Sequence, residues 1–325
     1  MRQHVLRTLL FVAGLILIME ITQVVLLAAL RHKRTGSYGV WNRIVQGQVN
    51  ADILISGSSR ALVNFDSELI GSRTGLSCYS IGIDGSRLEA QRALLKMYLK
   101  HNRPPRFLVQ VVDIMSLEQL TAVYEPSLYV PYLNDPNIFQ YVMRVDRSFL
   151  ARKYLPLYSF ALDRELLYGA LHVMLGREDE SLDNRRSGFQ GRDIEWDESF
   201  DRFFVKVHSN GVNYAVQAEA IGQLEDMIKL AQQSGSRVIL VYPPEYFKNF
   251  ELTRNRAEII SVFADVASRR GIPFWDFSGN PICWDRSAFF NSQHLNLRGA
   301  DQFSADFADQ LKKQEIDKTD RHIRK

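Results

Sequence analysis

The strongest constraint on this chain is the run from Thr8 to Leu30, TLLFVAGLILIMEITQVVLLAAL, set between Arg7 and the cluster Arg31, His32, Lys33, Arg34. As a helix rising about 1.5 Å per residue it extends roughly 34 Å, enough to cross a hydrocarbon core of roughly 30 Å. A cleaved signal peptide has a shorter apolar stretch and ends at a small-residue cleavage site, so residues 1–34 are expected to be a retained membrane anchor crossing once. The flanking charge is nearly balanced, with Arg2, Arg7 and the terminal amine against Arg31, Lys33 and Arg34, and does not set the orientation. Glu20 falls near mid-membrane, with Gln23 one turn on. Two readings stand for such a carboxylate: a contact site for a membrane partner, or a protonated side chain that snorkels toward the interface.

The rest of the chain is globular in composition. With 325 residues, 46% hydrophobic and 24% charged, it has enough apolar side chain for one large domain or two small ones. Its 40 basic and 37 acidic residues give a net charge of +3, with no long block of one sign before the last dozen residues, so no nucleic-acid partner is expected. Cys78 and Cys283 are too few and too far apart to form a disulfide framework; one bridge between them stays open, as does the redox compartment.

Residues 35–50 lack sustained periodicity and read as a juxtamembrane linker or a short helix. From residue 51 the chain alternates. Short apolar runs, DILISG, GLSCYSIG (75–82) and PPRFLVQVVDI (104–114), enclose a helical pattern over 87–101. The alternation resumes with a helix over 214–235, a strand over 236–244, a helix over 255–271, a strand over 272–278 and a last helix from 297 to about 312. Strand-helix-strand spacing of this kind predicts a doubly wound α/β domain over 51–313, with about five parallel strands covered on both faces. Residues 115–205, rich in Tyr, Phe and Arg, read as a long, mostly helical insertion after the third strand. Aromatics interleaved with Arg also occur on nucleic-acid surfaces, but a cap packed on a main domain is the commoner outcome. Residues 314–325 form a polar tail, expected to fray.

In open parallel sheets the ligand crevice lies at the carboxyl ends of the strands. Those ends carry Gly57, Ser58, Ser59 and Arg60 after the first strand, Gly82 to Ser86 after the second, Asp113 at the third and Pro243, Pro244, Glu245 at the fourth; His294 precedes the last helix. A serine at a helix start is most often a cap. A nucleophile also needs a base and donors for an oxyanion; His294 is the candidate base, and Gly85, lacking a side chain, lets a ligand approach its N–H. Glu245 is a candidate substrate contact at the rim. His172 and His208 lack metal-ligand spacing and read as surface or packing residues, and no metal or other cofactor is expected.

The segments ILISGSSRA, IGIDGS and NSQHLNLRGADQFS together resemble the SGNH (GDSL-like) hydrolase superfamily, in particular a membrane-anchored bacterial branch with Gly-Ser-Ser in its first block. The resemblance covers roughly residues 51–114 and 236–312. It implies a three-layer, flavodoxin-like sheet, Ser59 as nucleophile, Gly85 as an oxyanion donor beside the Ser59 N–H, and His294 as base. It further implies an esterase or O-acyltransferase acting on an acylated sugar or cell-envelope polysaccharide outside the cytoplasmic membrane, with a membrane acyl donor or export protein as a partner. Ser58 stands where the family has aspartate and reads as a turn residue. Asn291 stands where the family aspartate supports the imidazole; an asparagine accepts its hydrogen bond but brings no charge, and Asp285 is the other candidate for that place. Asp113 stands where the family has an oxyanion asparagine, and an ion pair with Arg60 is its alternative role. The same departures suit a second reading, an inactive relative that binds polysaccharide or a partner of an envelope complex.

Overall fold

The computed structural model describes residues 1–179, 183 and 185–316, so the tail expected from 314 lies, from 317 onward, outside the described residues. Helices α1 (Arg2–Leu30) and α2 (Gly36–Val45) precede strand β1 (Ile53–Ser56). Next come α3 (Ser59–Val63), α4 (Ser67–Thr74), β2 (Cys78–Ser80), α5 (Leu88–His101) and β3 (Phe107–Val111). Five helices follow with no strand between them: α6 (Pro126–Tyr129), α7 (Pro136–Val145), α8 (Phe149–Tyr154), α9 (Tyr158–Leu162) and α10 (Arg164–Met174). A hairpin, β4 (Arg185–Arg186) and β5 (Phe189–Gln190), and helix α11 (Val205–Val207) lead to α12 (Ala218–Gln233) and β6 (Arg237–Tyr242). Helices α13 (Phe247–Leu252) and α14 (Arg256–Arg270), strand β7 (Phe274–Asp276), the hairpin β8 (Phe289–Asn291) and β9 (His294–Leu295), and α15 (Leu297–Leu311) complete the order.

The chain divides into two compact units, Met1–Gln46 with Leu120–Asp183, and Gly47–Gln119 with Asn184–Lys325. In the first, α1 packs on α10, with Leu26, Ala29 and Leu30 buried among Val130, Phe160, Leu166 and Ala170. The end of this helix is tied down by polar groups. The Asn42 Nδ2 donates to the carbonyl of Leu30 (2.9 Å), which the helix C-terminus leaves without an intrahelical partner, and to that of Lys33 (2.8 Å) just beyond it. The buried Gln23 accepts the Leu157 N–H at 2.7 Å. Among the described residues, α1 is the one helix long and apolar enough to span a membrane.

The second unit is built on a five-stranded, all-parallel sheet in the order β2-β1-β3-β6-β7. Counting only its own strands, this is the 2-1-3-4-5 order of doubly wound sheets, whose direction of winding reverses between the first and third strands. Alternation sends Ile53, Ile55, Phe107, Val109, Ile239 and Val241 to one face, where they are buried with Phe303 and Phe307 of α15. Leu54, Leu108 and Leu240 point to the other face, and there α12 packs on β6 and against α5 and α14. Strands buried on both faces read as continuous apolar runs, which is why ILIS and FLVQV lack a polar alternation. Beside the β2 edge, the Ser80 N–H donates to the Ser187 carbonyl at 2.9 Å. Ser187 and Gly188, both at positive φ, make the two-residue turn of the β4–β5 hairpin, and a Cβ at Gly188 would stand 1.9 Å from the Ser80 oxygen.

Candidate functional site

The central strand β3 and its neighbour β1 deliver the first site residues. β1 ends at Ser56, Gly57 makes the turn, and Ser59 is the first residue of α3. Gly57 is needed for space: a Cβ there would lie 2.8 Å from Val111 Cβ and 2.9 Å from Ala61 Cβ. The Ser58 hydroxyl does not cap α3; it donates to Asp113 Oδ2 at 2.5 Å, at the end of the neighbouring strand. The other Asp113 oxygen accepts the Met115 N–H at 2.9 Å, and the Asp113 N–H donates to Ser116 Oγ. The carboxylate is therefore buried and occupied with fixing the loop that carries the nucleophile candidate.

The candidate base comes from the hairpin before α15. Strands β8 and β9 place Asn291 opposite His294 across the two-residue turn Ser292-Gln293. The Asn291 Oδ1 accepts the backbone N–H groups of Gln293 and His294, both at 3.1 Å, and pairs with His294 Nδ1 at 2.8 Å. Backbone N–H groups can only donate, so the atom facing the ring is the amide oxygen, and Nδ1 must carry the proton. The opposite nitrogen, Nε2, is then bare, and it lies 2.7 Å from Ser59 Oγ. The result is a continuous chain Ser59 Oγ–H···Nε2, Nδ1–H···Oδ1 Asn291. Phe290 stacks parallel to the imidazole, with centroids 5.3 Å apart, and the buried Asn64 accepts the next backbone N–H, that of Leu295, at 3.0 Å. Burial, reinforced by the positive Arg60, pushes the His294 pKa down to about 4, and Asp113 opposes the shift.

Gly85 sits in the turn after β2 at φ +60, which favours glycine. Its loop is pinned to the nucleophile loop, since the Ile83 N–H donates to the Gly57 carbonyl at 3.0 Å, and the Gly85 N–H has no acceptor among the described residues. A Cβ on Gly82 would lie 2.6 Å from the Leu62 nitrogen, so this loop also approaches α3 closely.

Three expectations need correction. The Asp113–Arg60 ion pair does not form: Arg60 is 1% exposed, and its Nη2 donates to the carbonyls of Pro243 (2.6 Å) and Pro244 (2.7 Å) while Nη1 lies 4.0 Å from Glu245. The strand-end prolines thus present two carbonyls to one guanidinium, and a buried arginine finds its counter-charge there rather than across the first loop. Glu245 is not a rim residue either. It is 1% exposed and takes bonds from Tyr242 Oη (2.5 Å) and Asn249 Nδ2 (2.8 Å), with Arg256 at 3.6 Å, so it is the centre of a buried polar cluster that supports Arg60. Asp285 does not approach the imidazole; it accepts from the backbone and hydroxyl of Ser287 and pairs with Arg298 at 2.7 Å. The cysteines are both free and buried.

A cleft of about 430 Å³ is lined by His294 and Gln293 together with Phe203, Phe204, Val207 and His208. His208 packs its ring on Phe204, with centroids 4.6 Å apart. The segment is fastened to the β8–β9 hairpin by the Asp197 N–H, which donates to the Phe290 carbonyl at 2.8 Å. The sequence gives this lining no motif; the clustered Phe200, Phe203 and Phe204, just beyond a polar loop, are the one signal it offers. Comparison with models of known protein families gives no match, and no curated protein matches the sequence.

Proposed function

We propose that this protein is a membrane-anchored, SGNH-like serine esterase or O-acyltransferase that acts on an acylated sugar or cell-envelope polysaccharide. The observation that carries the reading is the relay from Ser59 through His294 to Asn291, with both hydrogen bonds under 3 Å. Ser59 Oγ attacks the acyl carbonyl as Nε2 takes its proton, and the oxyanion is received by the N–H groups of Ser59 and Gly85. The imidazolium returns the proton to the departing alkoxide, leaving an acyl-enzyme. Water attacks it in hydrolysis; a second hydroxyl does so in transfer, with Nε2 again taking the proton. The anchor is α1, the domain stands outside the cytoplasmic membrane, and a membrane acyl donor or export protein is the partner, with Glu20 as its contact.

A Ser59→Ala variant assayed with a chromogenic acetyl ester tests this. Loss of turnover to the level of buffer is expected, and undiminished turnover removes Ser59 as nucleophile. The second reading, a binding protein without turnover, is favoured by one observation: the group at Nδ1 is a neutral amide, which cannot offset the charge of an imidazolium. It predicts that the unaltered protein and the Ser59→Ala variant are equally silent and that both bind polysaccharide.

A further inference from the structure

We propose that helices α8 to α10 rest on the lipid bilayer, so that the first unit is seated in the membrane interface and not merely tethered by α1. The proposal rests on the reading of α1 as a membrane span. Counted from Thr8 at about 1.5 Å per residue, a hydrocarbon layer of roughly 30 Å ends near residue 28. That is within the turns of α1 that pack on α10, where Leu26, Ala29 and Leu30 are buried. A helix held against this stretch lies at the boundary between acyl chains and headgroups.

The surface of α10 suits that position. Leu166 and Ala170, four residues apart, form the side buried in the cluster with α1. Tyr168, Leu171 and Leu175, spaced by three and four, fall on the opposite side and are exposed, Tyr168 at 58% and Leu175 at 61%. A helix apolar on opposite sides is expected to be covered on both. Its neighbours repeat the pattern with exposed Leu150, Tyr154 and Leu162, and most of the large exposed apolar side chains outside α1, among the described residues, fall between 150 and 175. Over the three helices, 149–174, Arg152, Lys153 and Arg164 stand beside Asp163 and Glu165. Exposed tyrosines and leucines with arginine and lysine between them are the composition of segments that lie at the boundary of acyl chains and headgroups.

Both native cysteines are buried, so an introduced one is the accessible thiol. The full-length protein, in nanodiscs of mixed neutral and anionic phospholipid, carries a nitroxide at Leu171→Cys, with Val12→Cys on α1 and Lys229→Cys on α12 as lipid and water references. Collisions with oxygen, which partitions into lipid, are compared with those of a water-soluble nickel chelate. The oxygen-to-nickel ratio at 171 is expected to resemble that at 12 and to exceed that at 229 severalfold. A ratio at 171 equal to that at 229, with 12 reading lipid, overturns the proposal and leaves the anchor standing. Water-like ratios at both 12 and 171 overturn the anchor and this proposal together. Shielding of 171 from both relaxers shows that protein covers the surface, and also overturns it.

Discussion

The Asn291 side-chain oxygen receives three N–H groups, two from the backbone and one from the imidazole, and this occupation decides what His294 can do. It fixes the tautomer and leaves Nε2 free to accept from Ser59, as an aspartate would, but without stabilising the cation that follows. Replacing Asn291 with Asp keeps the geometry and adds the charge, so kcat/KM for ester cleavage is expected to rise about 10-fold or more. The pH dependence provides a separate check. With its pKa at about 4, His294 is neutral through the ordinary range, and the acid limb of kcat/KM is expected near pH 4; the Asn291→Asp limb moves upward, because a carboxylate at Nδ1 favours the protonated ring. The sign for stability follows from the unfolded histidine, which protonates near pH 6.5. The His294 contribution is fully present above about pH 6.5 and is lost as pH falls toward 4, measurable as a declining urea midpoint.

At the level of elements, the site depends on loops held from behind. Arg60, Glu245, Tyr242 and Asn249 form a buried cluster beneath the first and fourth strand ends, and a Glu245→Ala change leaves a buried guanidinium without its counter-charge. Urea unfolding is expected to show a loss of about 3–5 kcal/mol. Gly299→Ala strikes another close approach: a Cβ there would stand 2.1 Å from the Ala288 carbonyl, where α15 meets the residue before β8. A stability loss of about 1–3 kcal/mol is expected from overpacking. Much at this scale was legible in the sequence. The five strands appear as apolar runs, shortened in the structure at their ends, as in Phe107–Val111 for the run 104–114 that two prolines open. The Asn291–His294 partnership was legible as a spacing of three, which a two-residue turn brings face to face. The five-residue helix α3 was not, being too short for a period. Nor was the partner of Arg60, since which carboxylate meets a buried guanidinium depends on packing between strands far apart in sequence.

For the molecule as a whole, local pattern finds elements but not their grouping. The sequence reads as anchor, linker and α/β domain with an insertion, whereas residues 1–46 gather with 120–183 into one compact unit and the sheet belongs to another. Contacts such as Asn42 with Tyr132, at 2.8 Å, join segments ninety residues apart and have no periodicity to announce them. The proposed topology makes its own prediction: a phosphatase reporter fused after Lys325 is expected to be active only if the carboxyl terminus lies outside the cytoplasmic membrane, and an inactive phosphatase with a fluorescent cytoplasmic fusion would reverse the orientation. The hairpin beside the outer strand β2 bears on this setting too. Proteins confined to a surface meet one another far more often than the same number dissolved in a volume, and a bare strand edge is a template on which neighbouring sheets join. By giving the Ser80 N–H an acceptor and bringing Gly188 backbone against the Ser80 carbonyl, the 185–190 hairpin denies that template to passing copies. A few residues with no part in the proposed chemistry thereby shield one edge of the sheet from another copy of the chain.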